Sequence, residues 1–148
     1  MKNRKRGFSL VELLIVLAVI AALIATITPV ALNAIRKSQA TKVAQNIKTL
    51  ASAFENAIYV NDFVPDFDQL GRDLDPNKYG LFYTESGGSY DVAVITSEEA
   101  DLAALTSVVA DIRQGNPNTL FSDYTPLVGV TLVKDATYYY YSFTFDKY

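Results

Sequence analysis

One carboxylate stands apart from the rest of the chain. Glu12 is the only charged residue from Phe8 to Ile35, and it follows a short basic leader, Lys2, Arg4, Lys5 and Arg6, that ends at Gly7. An acidic side chain at the centre of a membrane helix costs about 2.5–3.5 kcal/mol on insertion scales. An ionisable group in such a setting therefore marks a functional position with a partner to be named. Catalysis has little to work with elsewhere. The 148 residues include no histidine, no cysteine and no tryptophan, which removes the commonest general bases, the thiol nucleophile, disulfides and the usual transition-metal ligands. The serines and aspartates follow no nucleophile-elbow or phosphate-loop spacing. Asp66, Asp68, Asp73 and Asp75 crowd one turn-rich stretch, yet their offsets miss the fixed pattern of an EF-hand loop and read as a solvated acidic loop. These residue types point to no enzyme, no metal and no cofactor.

The element that must carry Glu12 is a helix. Phe8 to Ile35 is a run of 28 residues, and at 1.5 Å per residue it reaches about 42 Å, more than the roughly 30 Å of a hydrocarbon core. The leader's four positive charges place it in the cytoplasm and the rest of the chain outside, outvoting Arg36 and Lys37 beyond the run. An ordinary cleaved signal fits poorly: its apolar region would be about 7–15 residues and end in a small-x-small site. The only candidates here are Leu32-Asn33-Ala34 and Ser38-Gln39-Ala40. Pro29 lies inside the helical pattern, where it removes a backbone donor and crowds the carbonyl four residues back. Neighbouring helices can re-satisfy the freed groups, so a kink is expected rather than a stop, with Thr26 and Thr28 placed to bond nearby carbonyls. Two readings of Pro29 stand level, a static bend and a segment that stretches or melts on packing. From Ile35 the pattern turns amphipathic without a break, with Ala40, Val43, Ala44, Ile47, Leu50, Ala51, Phe54 and Ile58 at helical spacing. The helix is expected to continue to near Tyr59, about 75–80 Å in all, and to end at Asn61-Asp62 and Pro65.

The stretch Gly7-Phe8-Ser9-Leu10-Val11-Glu12-Leu13-Leu14 resembles the processing site of type IV pilins and their pseudopilin relatives, together with the basic leader before it and Pro29 late in the apolar run. The resemblance covers about a third of the chain. It implies that a membrane prepilin peptidase/methyltransferase cuts after Gly7 and methylates the new amino-terminal Phe8. Such a cut would place a positive α-amino group four residues from Glu12. In a bundle of these helices, the ammonium of one subunit would meet the carboxylate of its neighbour. Pairing relieves two buried charges together, and either left unmatched costs several kcal/mol. On this reading Phe8 and Glu12 govern filament assembly, and Glu12 sets the axial register. The plainer alternative is an uncleaved signal anchor. Many relatives close a carboxy-terminal loop with a disulfide; without cysteine, that loop is either absent or held by packing.

Beyond the helix the chain carries a single head with no internal repeat. Leu81-Phe82-Tyr83-Thr84 reads as a strand, Ser86-Gly87-Gly88-Ser89 as a turn, and Tyr90 to Ile95 as the hairpin mate. Asp66 to Leu70 suggests one short helical turn. Thr96-Ser97-Glu98-Glu99 has the form of a capping box, opening a helix near 98–113 that Gly115 and Pro117 close. Leu127 to Val133 and Tyr138 to Phe145 look like a second hairpin around a Lys134–Thr137 turn. Of the four consecutive tyrosines, alternation sends two inward and two outward; a structural ladder is favoured, with the outward pair kept as an adhesion candidate. The expected fold class is α+β, a long amino-terminal helix on an antiparallel sheet of about four strands with a second short helix. The domain plan is a leader at 1–7, an apolar transmembrane and assembly segment at 8–35, an amphipathic continuation at 36–61 and the head at 62–148.

The formal net charge of −3 becomes −7 once the four leader charges are removed, and so acidic a domain argues against a broad nucleic-acid surface. The reading that follows is a structural subunit of a type IV pilus. Its expected partners are other copies of its kind in a homopolymer, the peptidase/methyltransferase, inner-membrane assembly machinery, and membrane lipid before assembly. It would sit as a single-pass inner-membrane protein with its head outside the cytoplasm, then in an extracellular filament. The alternatives are a pseudopilin of a type II secretion or competence apparatus, disfavoured because the resemblance implies a carboxy-terminal calcium loop in the major secretion pseudopilin and no convincing one is read here, and a tethered binding module that never polymerises.

Overall fold

Periodicity and turn chemistry account for most of the elements in the computed structural model, which describes residues 7–71, 73–127 and 138–147. The chain divides into two compact units, the first ending at Ile35 and the second beginning at Arg36. Helix α1, Leu10–Asn61, contributes to both. In the first unit it is apolar all round, and none of the residues from Gly7 to Ile35 is buried.

In the second unit α1 buries Ala40, Val43, Ala44, Ile47, Leu50, Ala51, Phe54 and Ile58, the one apolar stripe that a 3.6-residue period puts on a single face. The helix ends where Asp62 takes a left-handed conformation at φ 60°, the usual device for turning a chain out of a helix, though glycine more often provides it. The Asp62 carboxylate pairs with Lys147, and Tyr59 Oη donates to the Asp146 carbonyl at 2.8 Å. These contacts fasten the helix end to the end of the last strand.

The stripe packs on a five-stranded antiparallel sheet. Strands β1 (Tyr79–Ser86), β2 (Ser89–Thr96), β3 (Arg113–Gly115), β4 (Thr125–Leu127) and β5 (Tyr138–Asp146) lie in the order β3-β5-β2-β1-β4. The β1–β2 hairpin closes through Gly87 at φ 62° and Gly88 at φ 91°, the two positive-φ positions that a type I′ turn requires. Register aligns the faces. Leu81 pairs with Val94 and Tyr90 with Phe145 on the helix side, while Phe82 pairs with Ala93 on the other. On the helix side Phe54 packs against Tyr83, Tyr90 and Phe145 with ring centroids 5.5–6.5 Å apart.

Three short helices accompany the sheet among the described residues: α2 (Phe67–Leu70), α3 (Leu102–Val108) and α4 (Pro117–Leu120). The turn expected at 66–70 is α2. The segment after α4 covers the far face of the sheet, where Phe121 stacks on Phe82 at 5.9 Å and meets Tyr140 edge-on at 5.4 Å.

The structure corrects several expectations. The sheet has five strands among the described residues, because two three-residue strands, too short to show a period, join its sides. Residues 98–113 are not one helix. Thr96 is the buried end of β2, its hydroxyl donating to the Lys78 carbonyl at 2.9 Å, so it caps no helix. Asp101 is the cap of α3, accepting from the Ala104 amide at 2.8 Å. Arg113–Gly115 is strand β3, so Gly115 does not close a helix. Of the expected second hairpin, residues 128–137 lie outside the described residues. Leu127 belongs to β4 and pairs with β1, whereas β5 lies between β2 and β3.

The tyrosines do alternate, but the outward pair is not open. Tyr139 and Tyr141 pack toward the helix side, while Tyr138, only 3% exposed, and half-buried Tyr140 pack into the far-face cluster with Phe121. That leaves little tyrosine surface for adhesion.

Candidate functional site

The residues around Glu12 form a capping box. Ser9 precedes the first helical residue, Leu10, and Glu12 is the third residue of the helix. The Ser9 amide donates to Glu12 Oε2 at 2.7 Å, and the Glu12 amide donates to Ser9 Oγ at 3.2 Å. Two amides that helix geometry would leave unpaired are thereby satisfied. The carboxylate also sits at the positive end of the helix dipole. Glu12 is thus held by its own helix in the single chain. Sequence reasoning passed over Ser9, although serine three residues before glutamate, ahead of an apolar run, is the signature of this motif.

Gly7 and Phe8 lie just before the helix. A Cβ built at Gly7 would meet nothing within 4 Å, and Phe8 is 85% exposed. Both residues are thus exposed.

The segment that follows shows a continuous exposed apolar surface that includes Leu13, Leu17, Ile20, Ile24 and Ile27. Its length and composition suit membrane anchoring. Exposure on this scale calls for a cover of lipid or protein. Helix continues past Pro29. The carbonyl that loses its donor there is that of Ala25. Thr26 Oγ1 donates instead to the Leu23 carbonyl at 2.8 Å, and Thr28 Oγ1 to that of Ile24 at 2.7 Å.

Among the described residues, no group of three or more His, Cys, Asp or Glu side chains could hold a metal ion. In the acidic loop Asp75 is occupied locally, accepting from the Asn77 amide at 2.9 Å and from Asn77 Nδ2 at 3.0 Å. One strongly perturbed side chain is Tyr79, at the junction of α1, β1 and the loop after β2. It donates to Glu98 Oε2 at 2.5 Å and accepts from Asn46 Nδ2 at 3.0 Å. Burial, reinforced by the Glu98 carboxylate, pushes its phenol up to about 12. The arrangement ties α1, β1 and the loop after β2 together. Tyr124 is also raised, first by burial and then by the charge of Asp91.

Comparison with known proteins agrees with the amino-terminal geometry. The prokaryotic N-terminal methylation motif family matches residues 2–28. Over 127 residues the chain is 28% identical to the type IV major pilin protein PilA of Myxococcus xanthus, an alignment that covers 84% of this chain and 58% of that relative. The chain therefore spans less than two thirds of the length of the relative it matches. No solved structure matches it at a comparable level.

Proposed function

We propose that this chain, a member of the type IV pilin and pseudopilin family by its methylation motif and its similarity to a major pilin, is the structural subunit of a type IV pilus filament. The observation that carries the reading is Glu12, the one carboxylate on an uncovered apolar helix, five residues after an open glycine. A prepilin peptidase cuts the Gly7–Phe8 bond, and the new Phe8 amine is methylated. The cut converts a neutral amide into a cation beside a helix that already holds an anion.

In the bilayer before assembly, the capping box shields Glu12. In the filament, the apolar faces of neighbouring copies replace lipid, and the Phe8 ammonium of one copy answers the Glu12 carboxylate of the next. The gain from pairing is largest where water is absent, because an unmatched charge there costs several kcal/mol. A copy out of register along the axis forfeits it. Pro29 is the site of the kink, either a static bend or a segment that stretches during packing. The plan of residues follows: leader at 1–7, assembly segment at 8–35, amphipathic continuation at 36–61 and head at 62–148. The chain starts as a single-pass inner-membrane protein handled by the assembly machinery and ends outside the cell, with no catalysis of its own. The relative described as a major pilin favours the pilus over a secretion pseudopilus.

The test is expression of the wild type and of Glu12→Ala in cells that make the filament, followed by shearing, electron microscopy and mass spectrometry of the subunit. Long extracellular fibres whose subunit begins at methylated Phe8, and their loss in Glu12→Ala with leader cleavage intact, are expected. Wild-type fibre yield from Glu12→Ala, or a mature protein that keeps Met1, refutes the proposal. Confinement of the protein to a cell-envelope complex without surface fibres assigns it to secretion instead.

A further inference from the structure

The head contains a polar recess of about 530 Å³ whose lining includes Arg36, Gln39, Glu99, Asp101, Gln114 and Tyr139. Its size falls within the range of about 300–1,000 Å³ usual for small-ligand sites. Parts of its wall are fixed. Gln39 Nε2 donates to the Glu99 carbonyl at 3.0 Å, Tyr139 Oη donates to the Ala100 carbonyl at 2.6 Å, and Asp101 is held by the Ala104 amide at 2.8 Å. The two charged groups not used in this way are the Arg36 guanidinium and the Glu99 carboxylate. Neither has a side-chain hydrogen bond or ion pair among the described residues, and they make none with each other. The recess therefore offers a cation and an anion that do not pair with each other.

Arg36 is the first residue after the apolar run. On the membrane-spanning reading of that run, which this inference shares with the proposed function, its guanidinium sits at the depth of lipid phosphates. We infer that the recess binds a zwitterionic phospholipid headgroup of the phosphoethanolamine class, the phosphate on Arg36 and the primary ammonium on Glu99 and Asp101. Guanidinium and phosphate form paired charge-assisted hydrogen bonds, and a primary ammonium carries three donors for carboxylate and carbonyl acceptors.

The chemistry also states what the recess rejects. A purely anionic headgroup, or free phosphate, meets two carboxylates against one guanidinium. A quaternary ammonium seeks a cage of aromatic faces, and Tyr139 is the one aromatic among the lining residues. The expected preference runs against the attraction to anionic lipid that juxtamembrane Arg and Lys ordinarily give, here Arg36 and Lys37. That opposition makes the inference easy to break.

The experiment is native mass spectrometry of the full chain released from bilayer nanodiscs containing equal parts phosphatidylethanolamine, phosphatidylcholine and phosphatidylglycerol. The wild type should retain phosphatidylethanolamine over either competitor by about tenfold, the scale of one hydrogen bond to a charged group. Arg36→Gln should abolish retention, and Glu99→Gln should erase the preference over phosphatidylglycerol. Both side chains are exposed, and circular dichroism checks that each variant is folded. Soluble phosphoethanolamine should displace the lipid at concentrations where inorganic phosphate does not. Equal retention of the three lipids, a preference for phosphatidylglycerol, or displacement by inorganic phosphate overturns the site while leaving the filament proposal standing. A chain that enters no bilayer removes the membrane-spanning reading, and the site with it.

Discussion

Tyr79→Phe removes one oxygen atom from the head and leaves the ring, which is 2% exposed, in place. That oxygen joins three elements, donating to Glu98 at 2.5 Å and accepting from Asn46 at 3.0 Å. Without it the Asn46 amide loses its acceptor, and Glu98 keeps only Lys78, 3.8 Å away. A hydrogen bond to a charged group contributes about 1.5–3 kcal/mol, and a neutral one about 0.5–1.5. Glu98 is partly open to water, which returns some of that loss, so a net destabilisation of about 2 kcal/mol is expected. For a unit of this size the thermal midpoint then falls by roughly 6–12 °C. The pH dependence adds a second constraint. The folded phenol titrates at about 12, above the unfolded value of about 10. The neutral phenol's contribution is thus fully present below about pH 10 and is lost as the pH rises through about 12. The stability gap between wild type and variant should accordingly narrow over that window. Denaturant and thermal unfolding of the full chain in detergent micelles, followed by near-ultraviolet circular dichroism, measures both. Equal midpoints at pH 8, or a gap that widens in alkali, would refute the reasoning.

Phe54→Ala opens a cavity among Tyr83, Tyr90 and Phe145 and should destabilise the head by about 3–5 kcal/mol in the same unfolding assay. Gly87→Ala should lose about 1 kcal/mol, because its φ of 62° penalises a Cβ; Gly87→Asn should lose less, since asparagine tolerates that conformation. Ser9→Ala breaks the capping box and should weaken the first turn of α1 by about 1 kcal/mol, read as faster hydrogen exchange at the Glu12 and Leu13 amides in micelles. Unchanged exchange there would mean that the box does not hold the carboxylate.

Local patterns in the chain translate directly into structure, and non-local pairings do not. The eight apolar positions from Ala40 to Ile58 are the residues α1 buries, because a helix face depends only on spacing within the helix. The β1–β2 hairpin was equally readable from Ser86-Gly87-Gly88-Ser89, whose glycines supply the turn. The place of β5 between β2 and β3 depends on contacts some fifty and twenty-five residues back in the chain, about which local spacing says nothing. Thr96 misled for a related reason: its hydroxyl serves the Lys78 carbonyl across the sheet rather than a helix of its own. At the amino terminus Glu12 was conspicuous as an isolated charge. Its partner in the single chain, Ser9, carries no charge and is marked only by its spacing from Glu12.

The position of β5 has a consequence for how the head is made. It is synthesised after the other four strands, yet it fills an interior slot and carries Tyr141, Phe143 and Phe145 to the helix-facing core. Before it emerges, the β2 edge that β5 will pair has no partner, and the part of the core that β5 supplies is missing. Closing the sheet then requires contacts far apart along the chain, which form slowly. The interior of the sheet is therefore completed by the end of the chain, Tyr138–Asp146, rather than by the strands that precede it.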